Sequence, residues 1–195
     1  ISLIIKPVFA DVNKRHISVA FTLLTILIIQ TMFFLSVANI ITISSYSILI
    51  LSLEAFIVLI LLALRRVNME AINELLEQEN IDETFYSRPP RYNLAIFCVM
   101  LYTAIEFLFP NNSILGYLAL ACMASILGIL NDFILKDNNI LFKPFIIYMM
   151  SILIMTASAY GFLGFDYLNE EINALNHFRH FLTTGTYGLV FYIVM

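Results

Sequence analysis

The sequence predicts an all-α protein that spans a membrane several times. Of its 195 residues, 61% are hydrophobic and only 12% are charged, whereas a soluble domain is about half apolar and about a quarter charged. The apolar residues form six long runs, and a run of about 20 residues matches the thickness of a bilayer. None of the runs shows the alternation of a strand. We therefore expect one transmembrane helix bundle of six spans, forming a single domain over residues 1–195.

The boundaries of the six predicted spans follow from hydropathy. They are residues 17–37, 46–64, 93–109, 113–133, 141–163 and 174 to the end. Because the chain starts with Ile1 and stops within an apolar run, we expect it to be a fragment of a longer protein.

The longest connection, residues 65–91, carries a short amphipathic pattern. Its apolar face holds Ile72, Leu75 and Leu76, and its other face holds Glu70, Glu74 and Glu77. A helix that lies on a membrane surface usually has Lys and Arg on its polar face. We therefore expect this acidic helix to pack against the inner mouth of the bundle.

The basic residues predict the orientation of the spans. Nine of the ten Lys and Arg lie in connections that a six-span topology places on one side, namely Lys6, Lys14, Arg15, Arg65, Arg66, Arg88, Arg91, Lys136 and Lys143. The positive-inside rule makes that side cytoplasmic. The scatter of these cations and the net charge of −4 argue against a nucleic acid as partner.

Ionisable residues inside spans mark functional sites by default. Glu54 lies near the middle of the second span, and it is either part of a proton or substrate path or a neutral carboxyl bonded across the bundle. Glu106 lies near the outer end of the third span, and Asp132 is expected at the inner interface. Cys98 and Cys122 lie in apolar runs and predict core residues rather than a disulfide or a zinc site.

The start of the sixth span is the most polar stretch within any span. His177 and His180 are three residues apart, so they share one helix face, about 60° apart, while Arg179 points elsewhere. Two such imidazoles can share one metal such as copper, or one of them can ligate haem iron. They cannot be the two axial ligands of one haem, because those lie on opposite faces of the macrocycle. The alternative is a pair of interfacial histidines bonded to backbone or lipid headgroups.

The segment from residue 180 to residue 188 resembles the H-A-L-T-x-G-x-x-G segment of the NnrS family. The matching positions are His180, Leu182, Thr183, Gly185 and Gly188. This resemblance implies a polytopic protein of the bacterial inner membrane that contains haem and copper. It also implies a link to nitric oxide metabolism and to resistance against nitrosative stress.

The resemblance, together with the topology, suggests a site in the outer leaflet that would combine Glu106, His177, Arg179 and His180. His180 would ligate haem iron or copper, and His177 would add a metal bond or a hydrogen bond. Arg179 would pair with a haem propionate, and Glu106 would orient an imidazole by accepting its N–H. The alternative is that Arg179 extends to headgroups and Glu106 faces water.

Two other function classes remain open at this point. A cofactor-free transporter-like bundle would use Glu54 and Glu106 along a path, and a structural membrane protein would use its polar groups only for helix association. No nucleophile–base arrangement or nucleotide-binding motif is present in the sequence, so chemistry of the soluble-enzyme type has no support. Whether the chain is an enzyme is left open, and the expected partners are the lipid bilayer and nitric oxide or a metal ligand.

Overall fold

The computed structural model describes residues 17–110, 112–134, 140–169 and 175–194, and within these ranges the chain forms helices and no strand. The all-α prediction is therefore confirmed for the described residues. The elements are α1 Ile17–Val37, α2 Ser45–Gln78, α3 Pro89–Leu108, α4 Ile114–Ile129 with a 3-10 turn Leu130–Phe133, a 3-10 turn Ile140–Phe142, α5 Pro144–Asn169, α6 Leu175–His180, a π-helix Phe181–Tyr187, and α7 Gly188–Val194.

Five of the described helices are long and apolar enough to cross a membrane. They are α1 to α5, with α4 counted together with its 3-10 turn. The predicted number of six spans is not confirmed, because the segment expected to be the sixth span is divided into α6, the π-helix and α7. The interruption falls on a stretch rich in threonine, whose hydroxyl groups compete for backbone carbonyls.

The contacts divide the chain into two compact units, residues 1–63 and residues 64–195, where the sequence predicted a single domain. The first unit contains α1, which is apolar on all sides and almost entirely exposed. Such a helix suits a lipid environment. The acidic pattern predicted within residues 65–91 belongs to the last turns of α2, which continues without a break to Gln78.

Asparagine residues end the first two helices. Asn39 and Asn80 both have a positive φ, of 56° and 55°. In each case the next amide donates to a carbonyl five residues earlier, Ile40 to Leu35 and Ile81 to Leu76. This is the hydrogen-bond pattern of a Schellman motif, in which a left-handed residue satisfies the last carbonyls of a helix.

Two glycines bring α4 and α5 into close contact within the second unit. A Cβ atom on Gly164 would lie 2.9 Å from the carbonyl oxygen of Gly116, and a Cβ atom on Gly116 would lie 3.1 Å from that of Gly164. The close crossing is a backbone contact, which is typical of membrane helices that pack through small residues.

Replacing Gly164 tests this contact. Gly164→Ala should lower the free energy of unfolding by about 1–3 kcal/mol, since the new methyl group meets a backbone oxygen that cannot rotate away. Denaturant titration in detergent micelles measures the change.

The matched control is Gly128→Ala on α4. A Cβ atom there would meet no atom within 4 Å, and alanine is the better helix former, so the free energy of unfolding should stay the same or rise by up to about 1 kcal/mol. Equal losses in both variants would contradict the close-crossing interpretation.

Candidate functional site: a buried carboxylate beside the histidine segment

Glu106 lies two residues before the end of α3 and is 7% exposed. Tyr102 precedes it by one turn on the same helix face, and the Tyr102 hydroxyl donates a 2.9 Å hydrogen bond to Glu106 Oε1. Tyr102 is itself fully buried, and its ring packs edge-on against the ring of Tyr160 on α5, with 5.6 Å between centroids. The carboxylate is thus inside the packed helices and does not face water.

Two further donors reach the same oxygen from other helices. The hydroxyl of Tyr167 on α5 donates to Glu106 Oε1 over 3.0 Å. Arg179 on α6 forms an ion pair with it through Nη2, and its side chain is 12% exposed. A buried carboxylate needs such compensation, because an uncompensated charge in an apolar environment costs several kcal/mol.

The second carboxylate oxygen of Glu106 differs from the first. Oε2 is buried and accepts no hydrogen bond among the described residues. A carboxylate can accept bonds at both oxygens, so the site keeps one buried acceptor open.

Asp166 is a second carboxylate at this end of the helices. It is 4% exposed in the last turns of α5, next to Tyr167. The helix extends to Asn169, six residues past the predicted end of the span, and therefore includes Asp166.

The histidine motif coincides with the π-helix. His180 ends α6 and is exposed, and the π-helix begins at the next residue. The hydroxyl of Thr184 donates to the His180 carbonyl, and that of Thr183 lies 3.4 Å from the carbonyls of Arg179 and His180. These side-chain bonds satisfy carbonyls that a π-helix leaves without their α-helical donor. Short π-helical turns occur frequently at functional sites.

Hydrogen bonding and close packing hold the π-helix against α5. The hydroxyls of Thr156 and Thr186, both buried, lie 2.9 Å apart. Gly185 lies so close to Met155 that a Cβ atom would be 2.6 Å from the methionine methyl group. A larger residue at this position of the motif would require the Met155 side chain to move.

Aromatic rings add a further contact just before and at the start of the π-helix. Phe162 of α5 stacks on Phe178 with 5.3 Å between centroids and packs against Phe181 at the same distance. The backbone on both sides of His180 is therefore fixed to α5.

The structure brings two of the four predicted site residues, Glu106 and Arg179, into direct contact. Glu106 and Arg179 form a direct ion pair, so the alternative in which Glu106 faces water is wrong. His180 is exposed, and the side chain of His177 lies outside the described residues. Glu54 is fully buried, which excludes an aqueous position for it.

The described residues contain no group of three or more His, Cys, Asp or Glu side chains that could hold a metal ion. Cys98 and Cys122 are free thiols, and Cys122 is buried. Of the two predicted metal ligands, only the His180 side chain is described, and its imidazole could give one bond to a metal.

A second buried carboxylate lies at the opposite ends of α3 and α4. The side chain of Asp132 is 0% exposed and forms an ion pair with Arg91. Its Oδ2 accepts the backbone N–H of Arg88 over 3.0 Å. Arg88 is the N-cap residue of α3 and makes no side-chain cap bond. The bond from its own N–H to Asp132 instead fixes the start of α3 against the end of α4. The sequence predicted a residue at the inner membrane interface here, and the structure adds that its side chain is buried within the protein.

These features define a multi-pass membrane protein whose last described segment is fixed by a buried ion pair. The family model described as NnrS protein matches residues 1–195. The chain therefore belongs to the NnrS family, as the resemblance of the histidine segment implied. Comparisons with curated proteins and with solved structures give no match.

Removing Arg179 tests the buried pair. Arg179→Gln should lower the free energy of unfolding by about 3–5 kcal/mol, because it leaves the carboxylate of Glu106 buried without its counter-charge. A double-mutant cycle with Glu106→Gln should show a coupling energy, so that the double variant loses less than the sum of the two single variants.

Lys143→Gln provides the comparison, since it breaks an ion pair with Glu79 whose side chains are 40% and 44% exposed. An exposed pair contributes about 0–1 kcal/mol. If the losses in free energy of unfolding for Arg179→Gln and Glu106→Gln are additive and as small as the loss for Lys143→Gln, the buried pair does not contribute to stability.

Proposed function

We propose that this protein acts in nitric oxide metabolism or nitrosative-stress resistance as a haem- or copper-binding protein of the bacterial inner membrane. The observation that carries the proposal is the position of His180, exposed at the junction of α6 and the π-helix, within the segment that resembles the family motif. Membership of the NnrS family supports a role related to nitric oxide. Bound haem supplies a ligand-binding iron, and copper supplies a redox-active ion.

His180 would give one bond to the metal, and His177 would add a second bond or a hydrogen bond. Any further ligand would come from side chains outside the described set. An exposed imidazole on a backbone that is fixed on both sides suits this role, because a metal ligand has to be held in one orientation.

Glu106 and Arg179 would act next to that ligand. The open Oε2 of Glu106 would accept the N–H of an imidazole, which fixes the orientation of the ring and raises its basicity. A guanidinium carries five N–H donors, so Arg179 can keep its bond to Glu106 and still contact a propionate.

A cofactor-free transporter-like protein is the second candidate. The observation in its favour is the fully buried Glu54 in the middle of a span, since a carboxyl group at this depth is typical of proton or substrate paths. A visible absorption spectrum together with metal analysis of the purified protein separates the two candidates, because only the first one contains haem, which absorbs in the Soret region, or copper.

Substitution of His180 tests the first candidate directly. His180→Ala should remove most of the bound cofactor from the full-length protein, and Glu106→Gln should reduce the occupancy less. Metal analysis and the absorption spectrum measure the occupancy.

His16→Ala is the matched control, because it removes an imidazole from a different part of the sequence. A full cofactor complement and an unchanged spectrum in His180→Ala would refute the assignment of this residue.

We further propose that the basic connections face the cytoplasm. Single cysteines at positions 14, 66 and 143, in a background without Cys98 and Cys122, should resist an impermeant thiol reagent in intact cells, and one at position 112 should react. The charge distribution is the reason. Reaction at positions 66 and 143 without reaction at position 112 would show that the protein has the opposite orientation in the membrane.

A further inference from the structure

Arginine side chains gather around the junction of α2, α3 and the end of α4. We propose that Arg65, Arg88 and Arg91 form a binding site for the phosphate headgroup of an anionic phospholipid. The proposal is independent of the haem and copper function, since these residues lie at the ends of α3 and α4 opposite to Glu106.

A buried hydrogen bond fixes the geometry of this junction. Asn68 on α2 donates from Nδ2 to the hydroxyl of Tyr92 on α3 over 3.1 Å, and both residues are 0% exposed. Arg65 precedes Asn68 by one turn on the same side of α2, and this side faces the start of α3. Arg65 is close enough to Tyr92 to act on its hydroxyl electrostatically.

The other two arginines flank Tyr92 on α3. Arg91 is its neighbour, and Arg88 precedes it by one turn. Asp132 holds both in place, by its ion pair with Arg91 and by accepting the Arg88 N–H. The three arginines thus lie on the chain segments that meet at Tyr92.

Only one of these three arginines forms an ion pair with a carboxylate among the described residues. Asp132 is fully buried and already paired with Arg91, and among the described residues neither Arg65 nor Arg88 forms an ion pair. After Leu64, the next carboxylate on α2 is Glu70, about 7.5 Å further along the helix axis than Arg65. An anion is therefore the complementary ligand, and a guanidinium is the side chain that best matches a phosphate.

Exposed apolar groups beside the arginines favour a lipid over free phosphate. Tyr86 is 63% exposed and Ile134 is 75% exposed. They adjoin Phe85 and Phe133, whose rings pack together at 5.5 Å between α4 and the chain segment before α3. The apolar part of α2 ends at Leu64, so the arginines lie at the edge of the predicted membrane. A phospholipid fits this surface, because its phosphate can contact the arginines while its acyl chain contacts the exposed apolar groups.

Nanodiscs of defined composition test the proposal with the full-length protein. Discs of phosphatidylcholine with a minor fraction of phosphatidylglycerol should yield protein that retains phosphatidylglycerol selectively in native mass spectrometry, and its Tm should exceed that in pure phosphatidylcholine. Arg65→Gln and Arg88→Gln should each weaken retention about fivefold, while the Tm in pure phosphatidylcholine stays unchanged. Arg65→Lys and Arg88→Lys should retain most of the binding, which keeps the test decisive if a glutamine variant fails to fold.

Two controls separate the alternatives. Lys143→Gln removes one positive charge outside the site and should leave retention unchanged; an equal loss would show a diffuse effect of surface charge and overturn the proposal. Inorganic phosphate added to phosphatidylcholine discs should not raise the Tm. If it does so as strongly as phosphatidylglycerol, the ligand is free phosphate and not a lipid.

Discussion

The arrangement of the second unit depends on one buried carboxylate oxygen. Glu106 Oε1 accepts from Tyr102 of its own helix, from Tyr167 of α5 and from Arg179 of α6. Away from water, each donor is needed, because a buried charge without partners is strongly destabilising. The relative positions of three helices are consequently fixed at this end. The direction in which the chain continues from α6 into the π-helix is fixed as well.

The π-helix follows from a second fixed point further along the chain. Arg179 is attached to Glu106, and Thr186 is bonded to Thr156 on α5, so the residues between them have to fit two constraints at once. A regular α-helix does not occur there, and the hydroxyls of Thr183 and Thr184 satisfy backbone carbonyls instead. His180 lies between the two fixed points, which gives its imidazole a defined position although the side chain is exposed.

The sequence predicted the helices better than it predicted their contacts. The limits of α1 agree with the predicted span of 17–37, because hydropathy reports membrane burial directly. The pair of Asp132 and Arg91 was missed, since residues 41 positions apart give no local signal of contact. Arg91 lies near the start of one span and Asp132 at the end of the next. These positions would have predicted the ion pair only if α3 and α4 were known to be neighbours. The π-helix was missed because a stretch rich in threonine within a span is equally compatible with an α-helix.

Each end of the α3–α4 hairpin contains a buried carboxylate, but the two carboxylates are hydrogen-bonded differently. At one end both oxygens of Asp132 accept hydrogen bonds, one from the Arg88 amide and one from the Arg91 side chain. This carboxylate therefore has no open acceptor, and it does not neutralise the charges of Arg65 and Arg88. At the other end all donors meet one oxygen of Glu106, and Oε2 keeps its acceptor capacity. A carboxylate with an open oxygen can take another donor without giving up its structural bonds. The end of the hairpin at Glu106 is therefore suited to a hydrogen-bond donor such as an imidazole, and the end at Asp132 to an anion.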